Sequence, residues 1–203
     1  MYTIIRLLFG FIFLTCAVVA IRKSKIIRKT LMYVIFTVIS IALITISALV
    51  PVENLFITFN SPQSAYNYIN FGKSDIDLII EGENCDFVVD RKNDTDTYIF
   101  IPKTETGWKI GTGVNTKERL HAFYDGIMLK VYQYKDTNDF FVTIFNIDGG
   151  YMEITDCYNS KIFSLEKEND SLGKTYVTYY THLTEINPQY YMIINGEKVS
   201  LIE

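Results

Sequence analysis

A long apolar run without a charge is the feature that most constrains this chain. Residues 30–50 read TLMYVIFTVISIALITISALV, 21 residues with no acidic or basic side chain. A helix rises about 1.5 Å per residue, so this run is roughly 31 Å long and matches the hydrocarbon core of a bilayer. A lone segment in lipid must satisfy its own backbone hydrogen bonds, which excludes a strand despite the many β-branched residues. We predict a membrane-spanning helix over 30–50 that ends before Pro51.

A second apolar segment precedes this run. Residues 7–21 carry no charge, and Ile4 and Ile5 lengthen the segment if the Arg6 side chain reaches the headgroup region. A secretory signal peptide is the alternative, but no small-residue cleavage site followed by polar sequence is present. We predict a first helix over about residues 4–21, which forms a transmembrane hairpin with the second.

A basic loop separates the two segments. Residues 22–29 carry five positive charges in eight positions, and such loops stay on the cytoplasmic side of a membrane. The pattern predicts a multi-pass protein of the cell membrane with two spans and both termini outside the cytoplasm. It divides the chain into a helical hairpin over 1–51 and an extracytoplasmic domain over 52–203.

The outer part is acidic. Residues 51–203 hold 13 basic and 23 acidic residues, a net charge of −10. This balance argues against nucleic-acid binding, because phosphates are neutralised by Lys and Arg. The expected partners are the lipid bilayer and either another membrane protein or a cell-wall component. We expect no cofactor.

The outer part has the pattern of an antiparallel β domain. Ser61 and Pro62 suit the N-cap and first position of a short helix that runs to about Ile69. Segments rich in β-branched and aromatic residues follow, with hairpin signals at Asp125-Gly126, Asp148-Gly149-Gly150 and Asn195-Gly196. We predict a mostly β sandwich or barrel-like meander. The predicted strands are 76–80, 86–90, 97–101, 127–134, 140–147, 151–155, 175–183 and 190–195.

Candidate catalytic residues are few. His121 and His182 are the two histidines, and no nucleophile motif accompanies either of them. Cysteine and histidine do not recur at the local spacing of a zinc site, so we expect no metal. The proposed topology allows a disulfide between Cys85 and Cys157, although nothing local requires one.

Tyrosine is the most abundant aromatic residue, and 13 of the 15 tyrosines lie in the outer part. Exposed rings on a sheet would form a binding surface for glycan or peptide. If such a surface exists, we expect it at Tyr132, Tyr134, Tyr180 and His182. The interpretation we favour is that most of these rings fill the core and form cross-strand pairs.

Four stretches carry a family resemblance. They are SAYNYINFGKSDIDLIIEGENC, IPKTETGWKI, YKDTNDFFVTI and YYMIINGEKVSL. They resemble a set of uncharacterised membrane-anchored proteins of Gram-positive bacteria, over most of residues 60–203. The resemblance implies the architecture alone and carries over no activity and no functional residue.

Three functions fit these patterns. The first is a membrane-anchored protein that displays a binding or scaffolding domain, and this is our main prediction. The second is a surface-acting enzyme that uses His121 or His182 with nearby carboxylates. The third is a small accessory or immunity protein that acts through its helices.

Overall fold

The architecture, taken from a computed structural model, is mostly β. The structure describes residues 2–23, 29–49, 51–70, 76–92, 95–112, 115–169 and 173–201. Within these ranges the sheets are antiparallel and three α-helices are present, which confirms the predicted class at that level. Residues 24–28 of the predicted basic loop lie outside the described ranges.

Two N-terminal helices, α1 (Tyr2–Lys23) and α2 (Lys29–Leu49), pack against each other. The ring centroids of Phe13 and Phe36 are 6.4 Å apart. A Cβ built on Gly10 would lie 2.3 Å from a side-chain carbon of Ile44, so the missing side chain permits a close approach of the helices. These two contacts show that the helices run antiparallel.

One helix in the described part of the chain is long and apolar enough to cross a membrane. It is α2, over the stretch Lys29–Ile46. Most large apolar side chains of this helix are exposed within the protein, including Val38 and Ile41, unlike those of a helix in a soluble core. The finding does not extend to α1, so it does not support the prediction of two spans.

A short irregular segment joins α2 to the β-rich part. It contains a 3₁₀ turn over Val52–Leu55 and leads into α3 (Pro62–Asn70). The Ser64 N–H donates to Ser61 Oγ at 3.1 Å, which satisfies one of the unpaired amides at the start of a helix. The predicted N-cap and the predicted helix are both confirmed.

The first sheet has four strands. They are β1 (Leu78–Glu81), β2 (Cys85–Lys92), β3 (Thr95–Thr104) and β4 (Gly107–Trp108). They lie side by side in that order and all pair antiparallel. Phe59 extends the sheet, because its N–H and C=O both bond to Trp108 at 2.9 Å. Gly107 permits this pairing: its φ is +138°, and a Cβ there would lie 2.4 Å from the Phe59 carbonyl oxygen.

Two further sheets follow. Their strands are β5 (Thr116–Tyr124), β6 (Ile127–Tyr134), β7 (Phe140–Asn146), β8 (Ile154–Asp156), β9 (Phe163–Asn169), β10 (Lys174–Leu183), β11 (Tyr191–Ile194) and β12 (Glu197–Ser200). The second sheet has the order β5-β6-β7-β10-β9, and the third has the order β12-β11-β8.

The five-stranded sheet is the middle layer of the protein. On one face, Tyr132, Phe141 and Tyr180 pack against Phe87 and Phe100 of the four-stranded sheet. The Phe87 and Phe141 rings stack with their centroids 5.2 Å apart. Offset stacking of this kind adds to the free energy gained from burial.

The second face of the five-stranded sheet and the outer face of the four-stranded sheet are covered by other elements as well. Val131 and Val142 of the five-stranded sheet pack against Met192 of the three-stranded sheet. Tyr66 of α3 packs against Val88 on the outer face of the four-stranded sheet. The layers are therefore α3, the four-stranded sheet, the five-stranded sheet and the three-stranded sheet, in that order.

Two of the three predicted hairpin turns are confirmed. Asp125-Gly126 joins β5 to β6, and Asn195-Gly196 joins β11 to β12; all four residues have positive φ. The prediction at residues 148–150 is wrong, because β7 pairs with β6 and β10 while the next strand, β8, belongs to another sheet. The chain changes sheets at these residues.

Candidate functional site

The tyrosines assigned to a binding surface lie in the core. Tyr132, Tyr134 and Tyr180 are all buried between the four-stranded and five-stranded sheets. The Tyr132 hydroxyl bonds to that of Tyr98 on the opposing sheet, so even its polar end faces inward. These rings do not form an exposed surface, because the sheet that carries them is covered on both faces.

The fourth residue of that predicted surface, His182, belongs to a polar junction between the two sheets. Its Nε2 lies 2.7 Å from Oδ1 of Asp139, a residue with no exposed surface. The Glu83 N–H donates to the same oxygen at 2.8 Å, and the Asn84 N–H donates to Oδ2 at 2.5 Å. One carboxylate thus connects β10 to the turn between β1 and β2.

The junction holds Asp139 in its ionised form. Burial alone would raise the pKa of this carboxyl, but hydrogen bonds from His182 and the amides of Glu83 and Asn84 lower the pKa to about 2. His182 Nε2 must therefore carry the proton and donate it to the carboxylate. In the described part of the chain, no hydroxyl or thiol hydrogen-bonds to His182, so the pair lacks the nucleophile of a catalytic triad.

The second histidine is remote from this junction. His121 lies on the edge strand β5, half-exposed, with its Nδ1 3.5 Å from a Glu118 carboxylate oxygen. Strands β6 and β7 separate β5 from β10, so these two strands are about 14 Å apart at the usual strand spacing. The two histidines are also offset along the strands, because the position of β10 in line with His121 is Tyr180. The structure does not bring the two histidines together.

The cysteines are also kept apart. Cys85 is buried between the four-stranded and five-stranded sheets, and Cys157 packs at the cluster between the five-stranded and three-stranded sheets. Both are free thiols, so the disulfide considered from the sequence is not formed. Burial, and then the charges of Asp139 and Asp86, raise the pKa of the Cys85 thiol, which suppresses the reactive thiolate.

Metal binding has no structural support in the residues described. Across those ranges, no group of three or more histidine, cysteine, aspartate or glutamate side chains is placed to hold a metal ion.

A cleft of about 610 Å³ with polar side chains lies beside the segment that follows α2. Three lysines line it: Lys103 at the end of β3, Lys109 after β4, and Lys135 in the turn after β6. We call this feature the lysine cleft. Pro51 and Asn54 form its wall on the side of the helices. None of the described residues that line it carries a carboxylate.

Lys109 binds the segment that follows α2. Its Nζ donates to the backbone oxygens of Asn54 and Ile57 at 2.9 and 2.8 Å, and to Thr58 Oγ1 at 2.6 Å. The Asn54 side chain in turn accepts from the Ile110 N–H and donates to the Ile110 carbonyl. All three acceptors of Lys109 are uncharged, so its positive charge is not neutralised by these bonds.

Lys103 is partly neutralised. Its Nζ lies 3.3 Å from Oδ1 of the buried Asp86 and donates to the Gly82 carbonyl at 3.1 Å. The Trp108 indole N–H donates to the other Asp86 oxygen at 2.5 Å. This network holds the Lys103 ammonium at the cleft and gives Asp86 the donors that a buried carboxylate needs.

Lys135 is the least constrained of the three. It is exposed, its backbone has a positive φ of 51°, and its N–H is bonded to the Asn115 carbonyl at 2.6 Å. Its Nζ lies 5.2 Å from the ring centroid of Tyr134, a weak cation–π contact. In the described ranges it has no carboxylate partner, so its charge is not neutralised by one, and it lines the cleft.

The sequence did not predict the lysine cleft. Its lysines come from the end of β3, the residue after β4 and a turn of another sheet. The stretch IPKTETGWKI did contain a signal, because a tight hairpin brings Lys103 opposite Trp108 and hence near Lys109. Comparisons of the chain with protein-family models, with curated proteins and with solved structures found no match.

Proposed function

We propose that this chain is a membrane-anchored binding protein whose β-rich part displays the lysine cleft outside the cytoplasm. The observation that carries the proposal is the position of the cleft: its lining begins at Pro51, two residues after the end of α2. A site at that position lies next to the membrane and can bind molecules at the membrane surface.

The main support for anchoring comes from α2. α2 has the length and apolar composition of a span, and its exposed apolar side chains are suited to lipid contact. α1 packs along it and exposes Phe11 and Ile12 in the same manner. We propose that both helices span, so that the termini lie on the same side.

The orientation follows from charge. The five basic residues within 22–29 keep that loop in the cytoplasm, and the acidic β-rich part then lies outside. The side after α2 has no such cytoplasmic signal, since residues 51–70 contain no Lys or Arg.

Binding is favoured over catalysis because of the groups involved. Neither His121 nor His182 lines the lysine cleft, and the His182 contact with Asp139 joins two sheets.

Action through the helices has less support. The hydroxyls of Thr15, Ser40 and Thr45 each donate to a carbonyl four residues earlier in their own helix, which leaves them little capacity to bind a partner helix.

Reporter fusions test the anchoring. A reporter active only in the cytoplasm, fused after Glu203, should be silent, whereas the same reporter inserted in the loop 22–29 should be active. A third fusion before Met1 separates two spans from one, since it is silent only if α1 also crosses. An active reporter after Glu203 would reverse the orientation and refute the proposal.

A further inference from the structure

We propose that the lysine cleft binds the phosphodiester group of an anionic phospholipid, presented by the bilayer in which the protein is anchored. The inference deepens the proposed function and rests on it, since it needs the cleft to face the membrane surface. The group that the cleft binds is a singly charged phosphodiester. A soluble glycerol phosphodiester carries the same group and is the other candidate ligand.

The first argument is a local reversal of charge. The β-rich part carries a net charge of −10, yet the described lining of the cleft has three ammonium groups and no carboxylate. Two buried carboxylates are bonded to cleft residues, and both are already supplied with donors. Asp86 binds Lys103 and Trp108, and Asp139 binds His182 and two amides.

The three lysines have different parts in binding. Lys109 donates all its hydrogens to uncharged acceptors, so it contributes charge and no further bond. Lys135 has no carboxylate partner in the described part and supplies free donors. Lys103 is held at the cleft by its contact with Asp86. An anion in the cleft is attracted chiefly by Lys109 and Lys135, because Asp86 partly neutralises Lys103, and it takes its hydrogen bonds chiefly from Lys135.

The second argument is the position of exposed apolar side chains. Leu55 and Phe56 directly follow the cleft residue Asn54, and they are 78 % and 88 % exposed. Large apolar side chains next to a membrane span are stabilised in the boundary between headgroups and acyl chains. Their insertion would hold the mouth of the cleft at the depth of the phosphates.

Size is consistent with this ligand. A volume of about 610 Å³ lies within the usual range for small-molecule sites. It accommodates a phosphodiester with its glycerol units and leaves the acyl chains in the bilayer. Pro51 and Ile110 give the lining a partly apolar character.

Trp108 provides a direct readout, because it is the single tryptophan of the chain and the Lys103 ammonium lies 6.0 Å from its ring centroid. The full chain is reconstituted into lipid nanodiscs that contain phosphatidylcholine and an increasing fraction of phosphatidylglycerol. We expect the Trp108 emission to change with the anionic fraction and to saturate. The response should weaken as salt rises, because salt screens the attraction.

Two lysine variants make the test specific to the cleft. Lys135→Gln should shift the midpoint of the Trp108 emission change to a phosphatidylglycerol fraction about fivefold higher. A factor of this size is expected from the loss of one lysine at a membrane surface. Lys198→Gln is the matched control. Lys198 is also exposed and also lies over a tyrosine ring, at 3.7 Å from Tyr191, but it is on β12, away from the cleft. Equal responses of the two variants, or an unchanged emission in the wild type, would overturn the inference.

A second titration identifies the source of the phosphodiester. Glycerophosphoglycerol is added to the protein in discs of phosphatidylcholine alone, and we expect little change at concentrations that do not alter ionic strength. A saturating change of the Trp108 emission in that titration would show that the soluble phosphodiester binds. This outcome would overturn the lipid as the ligand but not the phosphodiester as the group that is bound. Failure of the chain to enter the discs would refute the proposed anchoring, which separates that outcome from a failure of the cleft to bind.

Discussion

Asp139 Oδ1 lies 2.7 Å from His182 Nε2, and this contact crosses from the loop before β7 to β10 while the same carboxylate reaches the turn between β1 and β2. One buried side chain therefore fixes the position of the four-stranded sheet relative to the five-stranded sheet. Its neighbours Cys85 and Phe141 pack in the apolar cluster between those sheets. Polar and apolar contacts here stabilise the same interface.

Replacement of Asp139 by Ala should be strongly destabilising. The change leaves His182 and the amides of Glu83 and Asn84 without their acceptor, and we expect a loss of about 2–4 kcal/mol of unfolding free energy. Asp136→Ala is the control, because Asp136 is an exposed residue in the same loop that pairs with Lys117 at the surface. Thermal unfolding of the full chain in detergent, followed by Trp108 fluorescence, measures both. Similar midpoints for the two variants would contradict the role of Asp139.

The same residue predicts a specific dependence of stability on pH. The pKa of Asp139 in the folded protein is about 2, below its value of about 3.9 in an unfolded chain. Its contribution to stability is therefore full above pH of about 4 and is lost as pH falls towards 2. We expect the stability difference between the wild type and Asp139→Asn to be constant near neutral pH and to shrink over that acidic window. A difference that grows on acidification would contradict the assignment.

The boundary of the folded part should lie at Pro51. A fragment over 60–203 lacks Asn54, Ile57 and Thr58, so Lys109 and the Ile110 backbone lose their partners, and Phe59 no longer pairs with Trp108. Both this fragment and one over 51–203 should be monomeric and give a β-type circular dichroism spectrum. We expect the shorter one to melt roughly 5–10 °C lower. Equal melting temperatures would show that these bonds contribute little, and a mainly helical spectrum would refute the fold.

The histidines should be dispensable for ligand binding. His121→Ala should leave stability unchanged because His121 is half-exposed on an edge strand. His182→Ala should lower stability by about 1–3 kcal/mol, since it removes a donor from a buried carboxylate. Below the melting temperature of the double variant, its Trp108 response to phosphatidylglycerol should match that of the wild type. Loss of that response in a folded, inserted double variant would favour the enzyme alternative.

The sequence predicted the interior strands well because their residues are β-branched and aromatic. It missed β5 and β9, which are the two edges of the five-stranded sheet. Their sequences, TKERLHAFY and FSLEKEN, are largely charged or polar. Charged side chains protect an exposed edge against pairing with another chain, and the same charges conceal the strand from a pattern of apolar residues.

The candidate site was less predictable than the strands. Alternation along a strand puts Tyr180 and His182 on one face of β10, but a period of two cannot tell which face is covered when another sheet packs on each side. The alternation alone therefore left both a surface and a core position open for these tyrosines, and they lie in the core. The lysine cleft depends on which turns meet at the end of the sheets near the helices. Tertiary structure decides this, and local sequence patterns do not reveal it.

The bonds of Lys109 to the segment after α2 have a consequence for how a ligand is found. In the proposed topology, the helix ends at Leu49 and the domain is already held at Asn54, so the chain between them spans only a few residues of about 3.5 Å each. A tether that short gives the cleft a fixed height and almost no lateral reach. Encounter with a ligand becomes a search in two dimensions, and occupancy follows the number of ligand molecules per unit area of membrane rather than their concentration in the surrounding solution.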